Sequence, residues 1–136
     1  MERRTLLASP LLASPLLGAL LAQAQAPSRP RGPIFQHDLP DVNIHNWAIT
    51  AVQVDYEPGG KSNPHRHPGI TIAYVLEGEI ASKVGDEPEK TYSVGEMWIE
   101  TPNQLHAVSR NASSTRPAKL LAILLAGKGK QLTTPA

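Results

Sequence analysis

His65 and His67, in the stretch Asn63-Pro64-His65-Arg66-His67-Pro68-Gly69, are the residues best suited to chemistry. Side chains alternate with period 2 along an extended strand, so histidines one residue apart share a face. Their ring nitrogens can converge on one ion, and imidazole suits zinc, copper, iron and nickel. His106, arriving from another strand, would complete a facial set of ligands. The alternatives are an exposed pair without a role, or core histidines satisfied by hydrogen bonds. The chain has no cysteine, which excludes disulfides and thiolate ligands. Any metal must then be held by histidine, carboxylate, amide or water.

Several short strands are needed to bring these groups together. Ala48, Thr50, Val52, Val54 and Tyr56 alternate with Trp47, Ile49, Ala51, Gln53 and Asp55, which predicts a long strand with two unlike faces. Glu57-Pro58-Gly59-Gly60 stops it, because proline fixes φ and the glycines allow a tight reversal. Past the histidines, Ile70 to Leu76 reads as a buried strand ending at Glu77-Gly78-Glu79, and Ile80 to Val84 continues extended. Gly85-Asp86-Glu87-Pro88-Glu89 is a turn, Thr91 to Val94 leads to another at Gly95-Glu96, and Met97 to Glu100 is a short strand broken at Pro102-Asn103. Leu105 to Ser109 carries His106, and Leu120 to Ala126 is an apolar run suited to a doubly buried strand. No helical period is sustained after the first residues. Short strands with Gly/Pro turns at about 8–12-residue spacing predict an all-β sandwich or barrel, closed as a jelly roll.

The first 24 residues read as an export signal rather than as part of the fold. Arg3-Arg4, the apolar run Leu6 to Leu21 and Ala22-Gln23-Ala24 supply a charged region, an apolar region and an A-x-A cleavage site in order. Pro10 and Pro15 interrupt a run already short of the about 20 residues of a comfortable span. The tandem Leu-Leu-Ala-Ser-Pro is low-complexity targeting sequence, and an uncleaved anchor is the alternative to cleavage after Ala24. The arginine pair loosely fits a twin-arginine signal, which exports folded proteins, and equally the general secretory route. The expected location is periplasmic or extracellular. Losing Glu2, Arg3 and Arg4 leaves equal numbers of acidic and basic residues. No Lys/Arg run is present, so a nucleic-acid footprint is missing.

Residues 25–45 hold Pro27, Pro30, Pro33 and Pro40 and read as an extended linker, with Ile34-Phe35 a short edge strand. His37 and His45 are expected at the surface. The barrel is expected over residues 46–126, and 127–136 as a polar, frayed tail.

With these residues in place, the chain resembles a small single-domain cupin, close to the quercetin-dioxygenase-like group, over roughly Trp47 to Leu125. The first cupin motif, G-x5-H-x-H-x3-E-x6-G, falls on Gly59, His65, His67 and Gly78. In the second, G-x5-P-x-G-x2-H-x3-N, Gly95 and His106 match, whereas Thr101 and Asn103 stand at the proline and glycine positions. Asn111 lies one place later than that pattern asks. The resemblance implies a cupin-type jelly-roll barrel (a double-stranded β-helix), a homodimer, and one divalent ion, iron first, with manganese, nickel, zinc or copper as alternatives.

Thr71 occupies the place of the motif glutamate. The resemblance therefore implies a three-histidine site, His65, His67 and His106, without a carboxylate. Neutral imidazoles would leave the ion's charge uncompensated and favour an anionic or enolic ligand. Glu100 and Gln104 are the replacements to consider: Glu100 as base or distal ligand, Gln104 through its amide oxygen, each with a rim or turn role as the alternative. Trp98, Tyr74, Met97 and Ile72 are candidates for an apolar wall, and Arg66 should point away into a surface or interface salt bridge. The expected function is a metal-dependent, dioxygenase-like enzyme acting on a small molecule. A metal-containing binding or sensing module without turnover is the rival, favoured by Thr71.

Overall fold

Residues 32–136 are described by the structure, a computed structural model, and Pro33–Ala136 make up one unit. The expected export signal, its expected cleavage point and the first part of the expected linker lie outside the described residues. Strands β1 (Trp47–Tyr56), β2 (Lys61–Ser62), β3 (His65–Arg66), β4 (Ile70–Glu77) and β5 (Glu79–Val84) are followed by β6 (Lys90–Ser93), β7 (Met97–Glu100), β8 (Leu105–Asn111), β9 (Ala118–Gly127) and β10 (Thr134–Pro135). Every pairing is antiparallel. One sheet has the order β1-β9-β4-β7; the other runs β10-β3-β8-β5-β6, with β2 also on β8. The described residues contain no helix. This is the expected all-β, jelly-roll architecture.

Alternation decides which side chains meet between the sheets. Tyr56, Ala73, Val75, Trp98, Ala118 and Leu120 from the first sheet pack with Ile80 from the second. Burying aliphatic side chains of this size stabilises the fold by about 1.5–3 kcal/mol each. At the start of β4, Gly69 lies against β9 so closely that a Cβ would overlap the Leu125 carbonyl oxygen. Gly78 makes the reversal from β4 to β5 at φ 66°, a conformation that glycine adopts without a Cβ penalty.

Two expectations fail at the edges. Ile34-Phe35 forms no strand, and Ile34 is exposed. The segment after Gly127 is not frayed. It turns at Gly129 (φ 75°), tied by Lys128 N–H to the Asn46 carbonyl, and returns as β10, where Thr134 pairs with Arg66 and Pro135 with His65. A polar composition gave no hint of this, because the return is held by backbone pairing with β3 and by contacts to the distant His67 ring.

Candidate metal centre

His65 and His67 come from β3 and the residue just after it. Their rings meet edge to face with centroids 4.9 Å apart. His65 faces His106 across the β3–β8 ladder, with the same centroid separation. An irregularity in β8 makes this possible. Lys83 pairs with Val108 and Val84 with His106, so Ala107 is left without a partner on β5. Regular alternation from Ser109 and Asn111 would turn Ala107 inward and His106 outward. The bulge reverses this and buries His106, as bulges beside functional sites commonly do.

The fourth member is Glu100. It alternates with Ile99 on β7, shares the inner face with Trp98 and is 2% exposed. One ligand atom from each of His65, His67, Glu100 and His106 lies within 4.8 Å of the others. Opposite ligands of a common ion stand about 4.2 Å apart at bond lengths near 2.1 Å, so small side-chain adjustments would seat one. This geometry corrects the expectation of three histidines without a carboxylate. The carboxylate is present, delivered by β7 instead of β4: Thr71 and Glu100 are direct partners in the β4–β7 ladder.

Hydrogen bonding fixes which atoms point inward. His65 Nδ1 lies 2.7 Å from the Asn63 carbonyl oxygen, and His67 Nδ1 lies 2.7 Å from that of Leu132. A carbonyl accepts only, so both Nδ1 atoms carry the proton and both Nε2 lone pairs are free for the centre. His106 is oriented through Nε2, 2.8 Å from Ser82 Oγ, and presents Nδ1. That Nδ1 is 3.1 Å from Glu100 Oε1 without the alignment of a hydrogen bond, and Glu100 Oε2 is 3.6 Å from His67 Nε2. Trp98 Nε1–H donates to Glu100 Oε1 at 3.1 Å. Glu100 Oε2, His106 Nδ1 and Thr71 Oγ1 are buried with no hydrogen-bond partner. Buried polar atoms are ordinarily satisfied, so the orphaned Glu100 and His106 atoms within this group fit a bound cation.

The electrostatics agree with that donor set. Burial pushes the Glu100 carboxyl up, but His106, His67 and the Trp98 N–H together outweigh it and hold the group below its ordinary range. Burial lowers His65, against the opposing pull of the Asn63 carbonyl. Ligands must be deprotonated to bind, and both shifts favour the deprotonated forms.

The centre sits on a cavity of about 630 Å³ whose walls include Val54, Ala73, Leu120, Ala122 and Leu124. Leu132, Thr133, Thr134 and Pro135 of the returning C-terminal segment also line it. Thr71 faces this cavity, but its hydroxyl is the weaker donor beside Glu100. The other expected wall residues are placed elsewhere. Trp98 packs in the core and against the second cavity, and it touches the centre from behind, donating to Glu100 and meeting the His106 ring edge to face with centroids 6.1 Å apart. Met97 and Gln104 line a second cavity of about 390 Å³, and Tyr74 and Ile72 line neither, lying on the face of β4 that alternates away from Thr71 and Ala73. Gln104 Oε1 accepts from Thr101 N–H at 3.0 Å, the turn role rather than a ligand role. Arg66 points away as expected, yet it donates to the Asn103 carbonyl at 2.7 Å instead of forming an ion pair. His37 and His45 are exposed. Asn111, one place off the motif, is buried and donates to the Glu57 and Arg116 carbonyls, closing a turn.

Residues 52–124, which span all four members of the centre, match the family model described as "Cupin domain". The chain belongs to the cupin family. Among curated proteins, this cupin is 33% identical over 103 residues to the "Cupin-domain-containing oxidoreductase srdB" of Neurospora crassa, covering 72% of this chain and 51% of that protein. The chain thus spans about half the length of the curated relative it matches. Among solved structures, the DMSP lyase DddQ of Ruegeria pomeroyi superposes with a TM-score of 0.57 at 20% identity, covering 65% of this chain and 43% of that one. A cupin-like protein of Thermotoga maritima gives 0.50 at 24% identity, covering 55% of each chain. Both structural likenesses concern the fold, which hosts unlike chemistries.

Proposed function

We propose that this cupin is a metal-dependent, oxidoreductase-type enzyme acting on a small, mostly apolar molecule with one acidic oxygen. The observation that carries the reading is the convergence of His65, His67, His106 and Glu100, with orphaned polar atoms, on the wall of an apolar cavity. The oxidoreductase name of the Neurospora relative supports the reaction class. A divalent ion held there, iron first, with manganese, nickel, zinc or copper as alternatives, would polarise a chelated oxygen as a Lewis acid.

The chain's own residues set what binds. Ionised Glu100 offsets one unit of a divalent charge, so the centre would carry a net single positive charge rather than two. Among the described residues no Lys or Arg lines the cavity, so an anionic group away from the centre would be buried without a counter-charge. A monoanion such as an enolate, phenolate or single carboxylate satisfies both conditions. Trp98 holds Oε1 of Glu100 in place, and the carbonyls of Asn63 and Leu132 hold two imidazoles. The rival reading, a binding module without turnover, drew on the missing motif glutamate. Glu100 takes that place, which removes its main support.

The test is metal analysis of the purified protein, followed by oxygen uptake with β-diketone and flavonol substrates. Bound iron with uptake supports the proposal. Bound metal with ligand-induced stabilisation and no product would favour the binding module. Export to the periplasm or beyond, and pairing of two copies, belong to the same proposal and are checked by fractionation and sedimentation.

A further inference from the structure

Away from the metal centre, the main cavity has a second polar end. The Tyr56 hydroxyl lies 2.7 Å from Ser62 Oγ and 2.8 Å from Ser109 Oγ, and all three residues line the cavity. Tyr56 and Ser109 are buried and Ser62 half-buried. Ser62 and Ser109 face each other in the β2–β8 ladder, as His65 and His106 do in the β3–β8 ladder. On the β2–β3 side the two pairs are offset by three positions, with Asn63 and Pro64 between them, which places them up to roughly 10 Å apart along the chain.

We propose that Tyr56, Ser62 and Ser109 form a second ligand subsite, which takes an uncharged oxygen acceptor of a molecule held at its other end by the metal centre. The inference rests on the metal-centre reading and names the far half of its substrate. Proton counting supports it. Three hydroxyls own three protons, and the two hydrogen bonds among them use two, so one O–H is left to donate elsewhere. The acceptor is uncharged because, among the described residues, no Lys or Arg lines the cavity at this end. An ether, ketone or hydroxyl oxygen fits, whereas a second carboxylate does not. The walls of the same cavity include Val54, Ala73, Leu120 and Ala122, which suit an apolar spacer. The substrate class is thus a molecule with an acidic, metal-binding oxygen, a short hydrocarbon body and a neutral oxygen beyond it.

The experiment uses the full chain loaded with cobalt and a series of alkyl hydroxamates, each paired with an analogue in which one methylene is replaced by an ether oxygen. Cobalt absorption reads binding. At one chain length, the affinity ratio of ether to alkyl ligand should fall about threefold to tenfold from wild type to Tyr56→Phe, as expected for one neutral hydrogen bond. Cobalt affinity itself should stay the same. Ser109→Ala serves as the second variant and should lower the same ratio. Ratios equal in wild type and both variants at every chain length would overturn the subsite alone. Failure of the cobalt-loaded protein to bind any hydroxamate would overturn the metal-centre reading, and the subsite with it.

Discussion

Thr71 and Glu100 face each other across the β4–β7 ladder, both on the inner face and both buried. The carboxylate absent from one strand is thereby supplied by the residue directly opposite on the next. Residues paired in this way have Cβ atoms about 4.5–5.5 Å apart, close enough for one carboxylate to serve the same centre from either strand. Glu100→Thr should lower cobalt affinity by more than the ~10–100-fold typical of outer-sphere changes. The exchanged protein, Thr71→Glu with Glu100→Thr, should recover at least about tenfold of that loss. Equal affinities for the single and exchanged variants in a cobalt titration would show that the two positions are not equivalent.

The returning C-terminal segment holds His67 through the Leu132 carbonyl and lines the cavity with Thr133, Thr134 and Pro135. Ending the chain at Lys130 should therefore weaken metal binding by roughly 10–100-fold while the barrel stays folded, since an outer-sphere partner of a ligand is lost. Circular dichroism and a metal titration on the same preparation measure both. Unchanged affinity would mean that the segment only covers the site.

Metal-free protein should lose stability as pH falls, for two groups in turn. His65 sits below its ordinary 6.5 because of burial, so its contribution is complete above pH 6.5 and fades as pH drops through the lowered folded value. Glu100, held below its ordinary 4.5 chiefly by its histidine neighbours acting against burial, adds a second loss beginning under that pH. Melting temperatures across pH 4–8 measure this, and His65→Gln should flatten the slope just below pH 6.5. A steeper slope in that variant would contradict the assignment.

Gly69→Ala should destabilise the protein by about 1–3 kcal/mol, the usual cost of forcing extra atoms into a packed site. The added methyl would collide with the Leu125 carbonyl where β4 meets β9. Thermal melts check this, at roughly 4–8 °C in Tm per kcal/mol for a domain of 60–100 residues and somewhat less for a larger one. A wild-type Tm would show that the strands separate at little cost.

The strand pattern was legible because alternation and turn residues are local. Val52, Val54 and Tyr56 share the cavity-lining face as their spacing predicts, with Val52 still exposed, and His65 and His67 converge as period 2 requires. Glu100 was legible as a candidate base or distal ligand, but not its place beside the three histidines, since that depends on which strand lies beside β4. Tyr74, Ile72 and Met97 lie off the expected wall for a related reason, and Gln104 takes its turn alternative: being close in sequence to a motif says nothing of the face on which a side chain emerges. No composition signal marked Thr134-Pro135 as a strand.

From its amino-acid order alone, this protein's all-β class, its strand and turn spacing and its three metal-type histidines follow, because each depends on neighbours within a few residues. Only the tertiary structure decided that Ala107 bulges to turn His106 inward, that Glu100 brings a carboxylate directly opposite Thr71, and that the C-terminal segment returns to hold His67. Those features arise from register between strands distant in sequence, and register is set by how the two sheets close, not by any one strand's pattern.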